Sequence, residues 1–208
     1  MFFSLDGADG GGKTTQLRLF CEWLRSSGYD VVACRDPGST RLGDAIRHIL
    51  LEGESPSGGA LPIARRSEML LYMAARAQLV EEVIAPALKA GKTVVSDRFL
   101  LANVVYQGYA GGLDLEAIRR VGAIATAGIE PTLTFVLDAP EEVAASRLDR
   151  PLDRMERQGD AFRAALRAGY LAEAARSPDK IVVVDAARSI DAVQAELRSL
   201  AGRILAYR

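Results

Sequence analysis

Between an apolar run at Phe2–Leu5 and an amphipathic stretch opening at Lys13 lies Gly7-Ala8-Asp9-Gly10-Gly11-Gly12-Lys13-Thr14, a full match to G-x-x-x-x-G-K-[ST]. No other feature restricts the fold of this chain as much. Such a loop needs a buried strand before it and a helix after it, and both flanks meet that demand. Glycines let the backbone wrap closely round phosphate oxygens with N–H groups pointing inward. The helix that follows presents its positive end to the anion. Lys13 is expected at the β and γ phosphates of a nucleoside triphosphate. The Thr14 hydroxyl is expected on a magnesium ion. Gly7, Ala8, Asp9, Gly10, Gly11, Gly12, Lys13, Thr14 and Thr15 are the candidate ATP-binding residues.

Downstream, strands alternate with helices. Asp30–Arg35, Lys92–Ser96, Thr132–Leu137 and Ile181–Val184 read as further buried strands. Helices are expected at Lys13–Arg25, Leu42–Leu51, Leu115–Ala127, Glu141–Leu148, Ala161–Ala175 and Ile190–Ala206, and a long helical stretch at Ile63–Ala90, bent before Pro86. Gly53–Gly59 reads as a loop. The order predicts an α/β P-loop NTPase fold, a five-stranded parallel sheet covered on both faces. With 208 residues, no internal repeat and no long linker, one domain over 1–208 is expected. Thr93-Val94-Val95-Ser96-Asp97 is an apolar strand ending in Asp, the usual partner of a phosphate loop, so Asp97 joins Thr14 as a candidate magnesium ligand.

Charge and composition exclude several classes. Lys and Arg number 26 against 27 Asp and Glu, so the bulk basic excess of a nucleic-acid binder is missing. No segment has the apolar length to span a bilayer. The opening Met-Phe-Phe-Ser-Leu-Asp has no basic region and runs straight into the loop, unlike a signal peptide, so a cytoplasmic chain is expected. Cys21 and Cys34 form no CxxC pair and read as buried thiols. A GTPase would carry Asn-Lys-x-Asp, which does not occur, and the chain is too short for a typical motor ATPase. A small-molecule kinase remains, with arginines spread over separate segments.

A resemblance then narrows the class. Asp6 to Gln16, Arg35-Asp36-Pro37-Gly38, Glu68 to Gln78, Asp97-Arg98-Phe99 with Tyr106-Gln107-Gly108, and Asp153-Arg154-Met155-Glu156 resemble, in order and spacing, the signatures of the thymidylate kinase family. The resemblance implies transfer from ATP with Mg²⁺ to dTMP, giving dTDP and ADP for dTTP synthesis, by a homodimer. It implies roles as well. Asp9 lies near the acceptor sugar and the magnesium shell, and Arg98 holds the dTMP phosphate through its guanidinium fork. Arg76 donates to a thymine carbonyl with Tyr72 stacked on the ring, and Asn103 pairs with the base edge. Tyr106 packs under the deoxyribose, Gln107 supports that wall, and Pro37 lines the same site. Another kinase of this fold, or an ATP-binding pseudokinase without transfer activity, are the alternatives.

Family members bring positive charge to the transferring phosphate either from an arginine in the loop or from the lid. Positions 8–11 are Ala-Asp-Gly-Gly, so the lid, about 147–158, must supply it. Arg147, Arg150, Arg154 and Arg157 recur there every three or four positions. Arg150 and Arg154 are expected to reach ATP and, with Lys13, Asp9 and Arg98, make up the catalytic set. Departures from the family pattern are Asp36 for Glu, Ala75 for the Asp preceding Arg76, Phe99 for Tyr, and Ala102 and Asn103 for serines.

Overall fold

Phe2, Phe3 and Leu5 alternate across the first strand, β1 (Phe2–Asp6), and none is left in water. Phe3 and Leu5 enter one apolar cluster and Phe2 another, so both faces of the strand are covered. A computed structural model describes residues 1–52, 61–147, 154 and 158–206 of the chain. It shows β2 (Val31–Arg35), β3 (Thr93–Asp97), β4 (Leu133–Asp138) and β5 (Ile181–Asp185), joined with β1 in one parallel sheet of order β2-β3-β1-β4-β5. The expected five-stranded parallel sheet is thus observed.

Two helices cover one face: α1 (Lys13–Ser26) and α9 (Ile190–Leu205). Phe20, Leu24, Val193 and Leu197 from them close over Phe3, Phe135 and Val184. Each large apolar side chain so buried contributes roughly 1.5–3 kcal/mol. The opposite face carries α3 (Arg65–Leu79), which continues through a π-helical stretch, Val80–Ile84, into α4 (Ala85–Lys89). The long helix expected at Ile63–Ala90 therefore exists. Its irregular turn lies immediately before Pro86, which has no N–H to return to the preceding turn. Around the rest of the sheet stand α2 (Arg41–Glu52), α6 (Leu115–Ala125), α7 (Glu141–Ser146) and α8 (Asp160–Arg176).

One helical segment lies outside the sequence expectations. The chain after β3 runs through α5 (Leu100–Asn103) into a π-helical stretch, Val104–Ala110. Val104, Val105, Tyr106, Gly108 and Tyr109 are weak helix formers. Packing holds them there instead: Val105 is buried against Val136 and Tyr170, and Val104 against Met73 and Ile118. Cys21 and Cys34 are buried and unpaired, and burial pushes their thiols up to about 11 and about 12. Residues 148–153 and 155–157 fall outside the described residues, and with them most of the expected lid, Arg150 and Arg157 included.

Candidate active site

The phosphate loop owes its path to glycine. Gly7 has φ +131° and Gly10 φ +80°, and a Cβ there would lie 2.4 Å from Leu137 O and 2.1 Å from Ala144 O. Only residues without a side chain fit that approach. Lys13 opens α1, and its buried ammonium folds back over the loop. Nζ donates to Ala8 O at 2.8 Å, Gly7 O at 3.1 Å and Asp9 Oδ1 at 3.3 Å.

Parallel pairing brings the second half of the site alongside. Leu5 is in register with Asp97, so the residue after β3 meets the residues after β1. That residue is Arg98, and Arg98 N donates to Leu5 O at 2.9 Å. Its φ is +67°, a left-handed conformation that an arginine rarely adopts. Ser96 Oγ donates to Arg98 O at 2.6 Å and helps to hold the turn. The guanidinium reaches back to the loop, with Nη1 donating to Gly7 O at 2.9 Å and Nη2 to Asp9 Oδ1 at 2.6 Å. Tyr106 Oη donates to Asp9 Oδ2 at 3.2 Å. Asp9 therefore stands between Lys13 and Arg98. Burial alone would raise its carboxyl, but Arg98 and Lys13 outweigh burial and hold it below the usual carboxylate range.

Two cavities meet at this network. The larger, about 1000 Å³, runs along Gly10–Leu17 and reaches Arg147 and Arg188. The smaller, about 110 Å³, is lined by Pro37, Tyr72, Arg76, Asn103, Tyr106 and Gln107 among others. Asp9, Asp36, Arg47 and Arg98 line both. Of the sequence-derived ATP residues, Asp9 to Thr15 line the large cavity, Gly7 and Ala8 border a third cavity of about 710 Å³, and the acceptor residues line the small one. Thr14 and Asp97 border the large cavity, and Asp97 Oδ1 is buried with no hydrogen-bond partner.

Arg76 is only 1% exposed, so it is no solvated helix arginine. Its Nε donates to Asp36 Oδ2 at 2.5 Å and Nη2 to Phe99 O at 3.2 Å. Asp36, shorter than the Glu it replaces, is buried with it; burial raises its carboxyl and Arg76 opposes the rise. Ala75 is buried and packed with Ile46 and Leu50. Arg154 does not lie on the donor side. Its Nε donates to Leu50 O at 2.8 Å, and its Nη2 is paired with Glu68. Arg47, Arg147 and Arg188 line the large cavity without having been assigned a role from sequence. The missed signal for Arg188 was position, three residues past the carboxyl end of β5, the sheet edge where ligands of such folds bind.

Asp6, at the end of β1, is fully buried. It accepts from Ser4 Oγ at 2.8 Å and from Tyr170 Oη at 3.5 Å. Burial lifts its carboxyl from 3.8 to about 6, against the opposing pull of Arg98 and Ser4. A raised acid holds its proton more tightly folded than unfolded. Its stabilising contribution is therefore full below about pH 3.8 and lost as pH rises through about 6. Asp6→Asn is expected to raise the melting temperature of the ligand-free chain by roughly 5 °C at pH 8 and by little at pH 4. Equal shifts at both pH values would show that Asp6 stays ionised in the fold.

A strand–loop–helix phosphate cradle, a second arginine-bearing strand end in register with it, and two cavities sharing one ion network define a P-loop kinase that handles two phosphorylated substrates. A family profile described as thymidylate kinase matches residues 5–197. Thymidylate kinases of Thermosipho africanus and Pelotomaculum thermopropionicum are 42% and 44% identical, over 96% and 98% of this chain and 96% and 94% of theirs. The crystal structure of thymidylate kinase from Ehrlichia chaffeensis superposes with a TM-score of 0.78 at 28% identity, covering 97% of this chain and 98% of that one. The chain belongs to the thymidylate kinase family.

Proposed function

We propose that this chain transfers the γ-phosphoryl group of ATP to the phosphate of dTMP, yielding dTDP and ADP for dTTP synthesis. The observation that carries this reading is the junction of the two cavities at Asp9 and Arg98, with Lys13 bonded to Asp9 from the large one. Phosphoryl transfer asks for position and charge more than for a base. Lys13 faces the donor phosphates and Arg98 the acceptor phosphate. Asp9 keeps the two cations together and, through Tyr106, ties them to the wall of the acceptor cavity. Arg76, Tyr72 and Asn103 surround the base, Tyr106 and Gln107 the sugar, and Pro37 closes the cavity.

Magnesium fits this site. The buried Asp97 Oδ1 lacks a partner, and Thr14 supplies a hydroxyl on the same cavity. Among the described residues no cluster of three or more His, Cys, Asp or Glu side chains is placed to cage a metal. That suits an ion held by one or two protein groups together with nucleotide phosphates. Bound there, magnesium would neutralise charge on the donor phosphates. Arg154, and Arg150 outside the described residues, remain the proposed lid cations for the transferring phosphate. Arg154 must leave Glu68 to serve there, whereas Arg147 and Arg188 already border the donor cavity.

A homodimer is also proposed. α3 and α6 pack on one another and expose Leu70 (52%) and Ile124 (82%), apolar surface that a second copy would cover. Among the described residues no helix is long and apolar enough to cross a membrane. The functional test is a coupled assay with ATP and each nucleoside monophosphate in turn. dTMP is expected to give the highest kcat/KM. Transfer to another monophosphate with dTMP inert would transfer the chain to a different acceptor, and ATP binding without any transfer would make it a pseudokinase.

A further inference from the structure

Asn103 lines the small cavity with its Oδ1 buried and unpartnered. Its other end is committed. Nδ2 donates to Gln107 Oε1 at 2.7 Å, and Gln107 Nε2 donates to Glu68 Oε1 at 2.9 Å. The second Glu68 oxygen pairs with Arg154. Glu68, Gln107 and Asn103 are all buried, so water does not compete for these groups.

The direction of this chain follows from chemistry. A carboxylate has no proton to give, so Gln107 must turn its NH₂ group to Glu68. The Gln107 carbonyl then faces Asn103, which must answer with its own NH₂ group. The Asn103 oxygen is left without a partner, in a residue that lines the cavity. Turning either amide over would set two acceptors or two donors face to face in a buried site, at the cost of unmade hydrogen bonds.

We propose that Glu68 is a positioning residue for base choice: it orients Gln107 and Asn103 so that the acceptor cavity always offers the base a hydrogen-bond acceptor. The inference rests on the small cavity being the base pocket of the acceptor nucleotide. An acceptor there matches thymine or uracil, whose N3 carries a proton. Set against the N3 position it opposes cytosine, whose N3 is an acceptor itself and whose only donor on that edge is the neighbouring amino group. Arg154 supplies the counter-charge in this arrangement, and the polarity of the chain needs only the carboxylate.

The test compares dTMP with dCMP in Glu68→Gln, Asn103→Asp and the double variant. With an amide at 68, both downstream amides are free to turn over. The dTMP-to-dCMP ratio of kcat/KM is expected to fall at least about 10-fold in Glu68→Gln. Asn103→Asp alone sets a carboxylate against the Gln107 carbonyl and should lose more dTMP activity. The double variant runs the chain backwards: the amide at 68 donates to Gln107, Gln107 donates to the carboxylate at 103, and an oxygen again faces the base. It is expected to recover dTMP use above Asn103→Asp. A folded Glu68→Gln with an unchanged ratio, or a double variant without recovery, overturns the proposal.

Side-chain amide NMR of the ligand-free wild type supplies a readout that no substrate enters and no variant needs. The Asn103 NH₂ protons are expected to exchange slowly and show contacts to Gln107; fast exchange refutes the chain itself. Slow exchange in a wild-type chain that ignores dTMP refutes the nucleotide assignment and leaves the orienting role of Glu68 standing.

Discussion

Lys13→Ala is expected to give a folded chain that transfers phosphate about 10²–10³-fold more slowly or not at all. The reason lies in where the ammonium sits. It closes over the loop from the first turn of α1, within reach of Gly7 O, Ala8 O and the Asp9 carboxylate. In the proposed assignment, incoming donor phosphates meet the same surface. As the phosphoryl group moves, charge spreads over its oxygens, and a fixed cation there stabilises the transition state more than the bound ground state. Folding depends little on it, because the loop path is set by Gly7, Gly10 and the strand behind them. Single-turnover transfer from ATP to dTMP, with circular dichroism as a folding control, is the measurement. Wild-type turnover in a folded Lys13→Ala chain removes the phosphate-loop assignment.

Arg98→Ala is expected to raise the KM for dTMP roughly 10–100-fold and to lower kcat, with the ATP dissociation constant little changed. The guanidinium already makes charge-assisted bonds to Asp9 and to Gly7 O, in a fork suited to phosphate. Its backbone is held in a left-handed turn, a constraint kept where function requires it. Loss of Arg98 also removes the strongest cation acting on Asp9, so the Asp9 carboxyl should move up towards its ordinary range. Arg98→Lys keeps the charge and loses the fork, and is expected to recover only part of the activity. Collapse of ATP affinity with dTMP binding intact would place Arg98 on the donor instead.

These two residues could be singled out in the sequence because Lys13 opens the helix after a glycine-rich loop and Arg98 directly follows a strand ending in Asp. The five strands were legible for a similar reason: short apolar runs bounded by Gly, Pro and Asp fit only a sheet buried on both faces. Leu100–Ala110 was not, since its valines, tyrosines and glycine carry no helical signal and the segment folds by packing on α8 and α6. Pairs between distant segments were hidden too. Nothing in the order of residues says that Asp36 meets Arg76, or that Glu68 faces Gln107, because such partners are chosen by the assembled fold. Arg188 had charge but no motif and Arg147 only its place in the lid series, and the closed sheet brings them to one cavity.

The register between β1 and β3 also works as a ruler. Lys13 and Arg98 issue from the ends of two neighbouring strands, one through the phosphate loop and one directly, and Leu5 opposite Asp97 fixes their offset. Adjacent strands stand about 4.8 Å apart, a spacing set by backbone hydrogen bonds and indifferent to side chains. The gap between the two strand ends from which the cations are reached is therefore a property of the ladder. Loops and helices around the two cavities can be exchanged to admit other bases or other sugars while that gap stays constant, so substrate choice and the span across which phosphate must travel are separable quantities in this architecture.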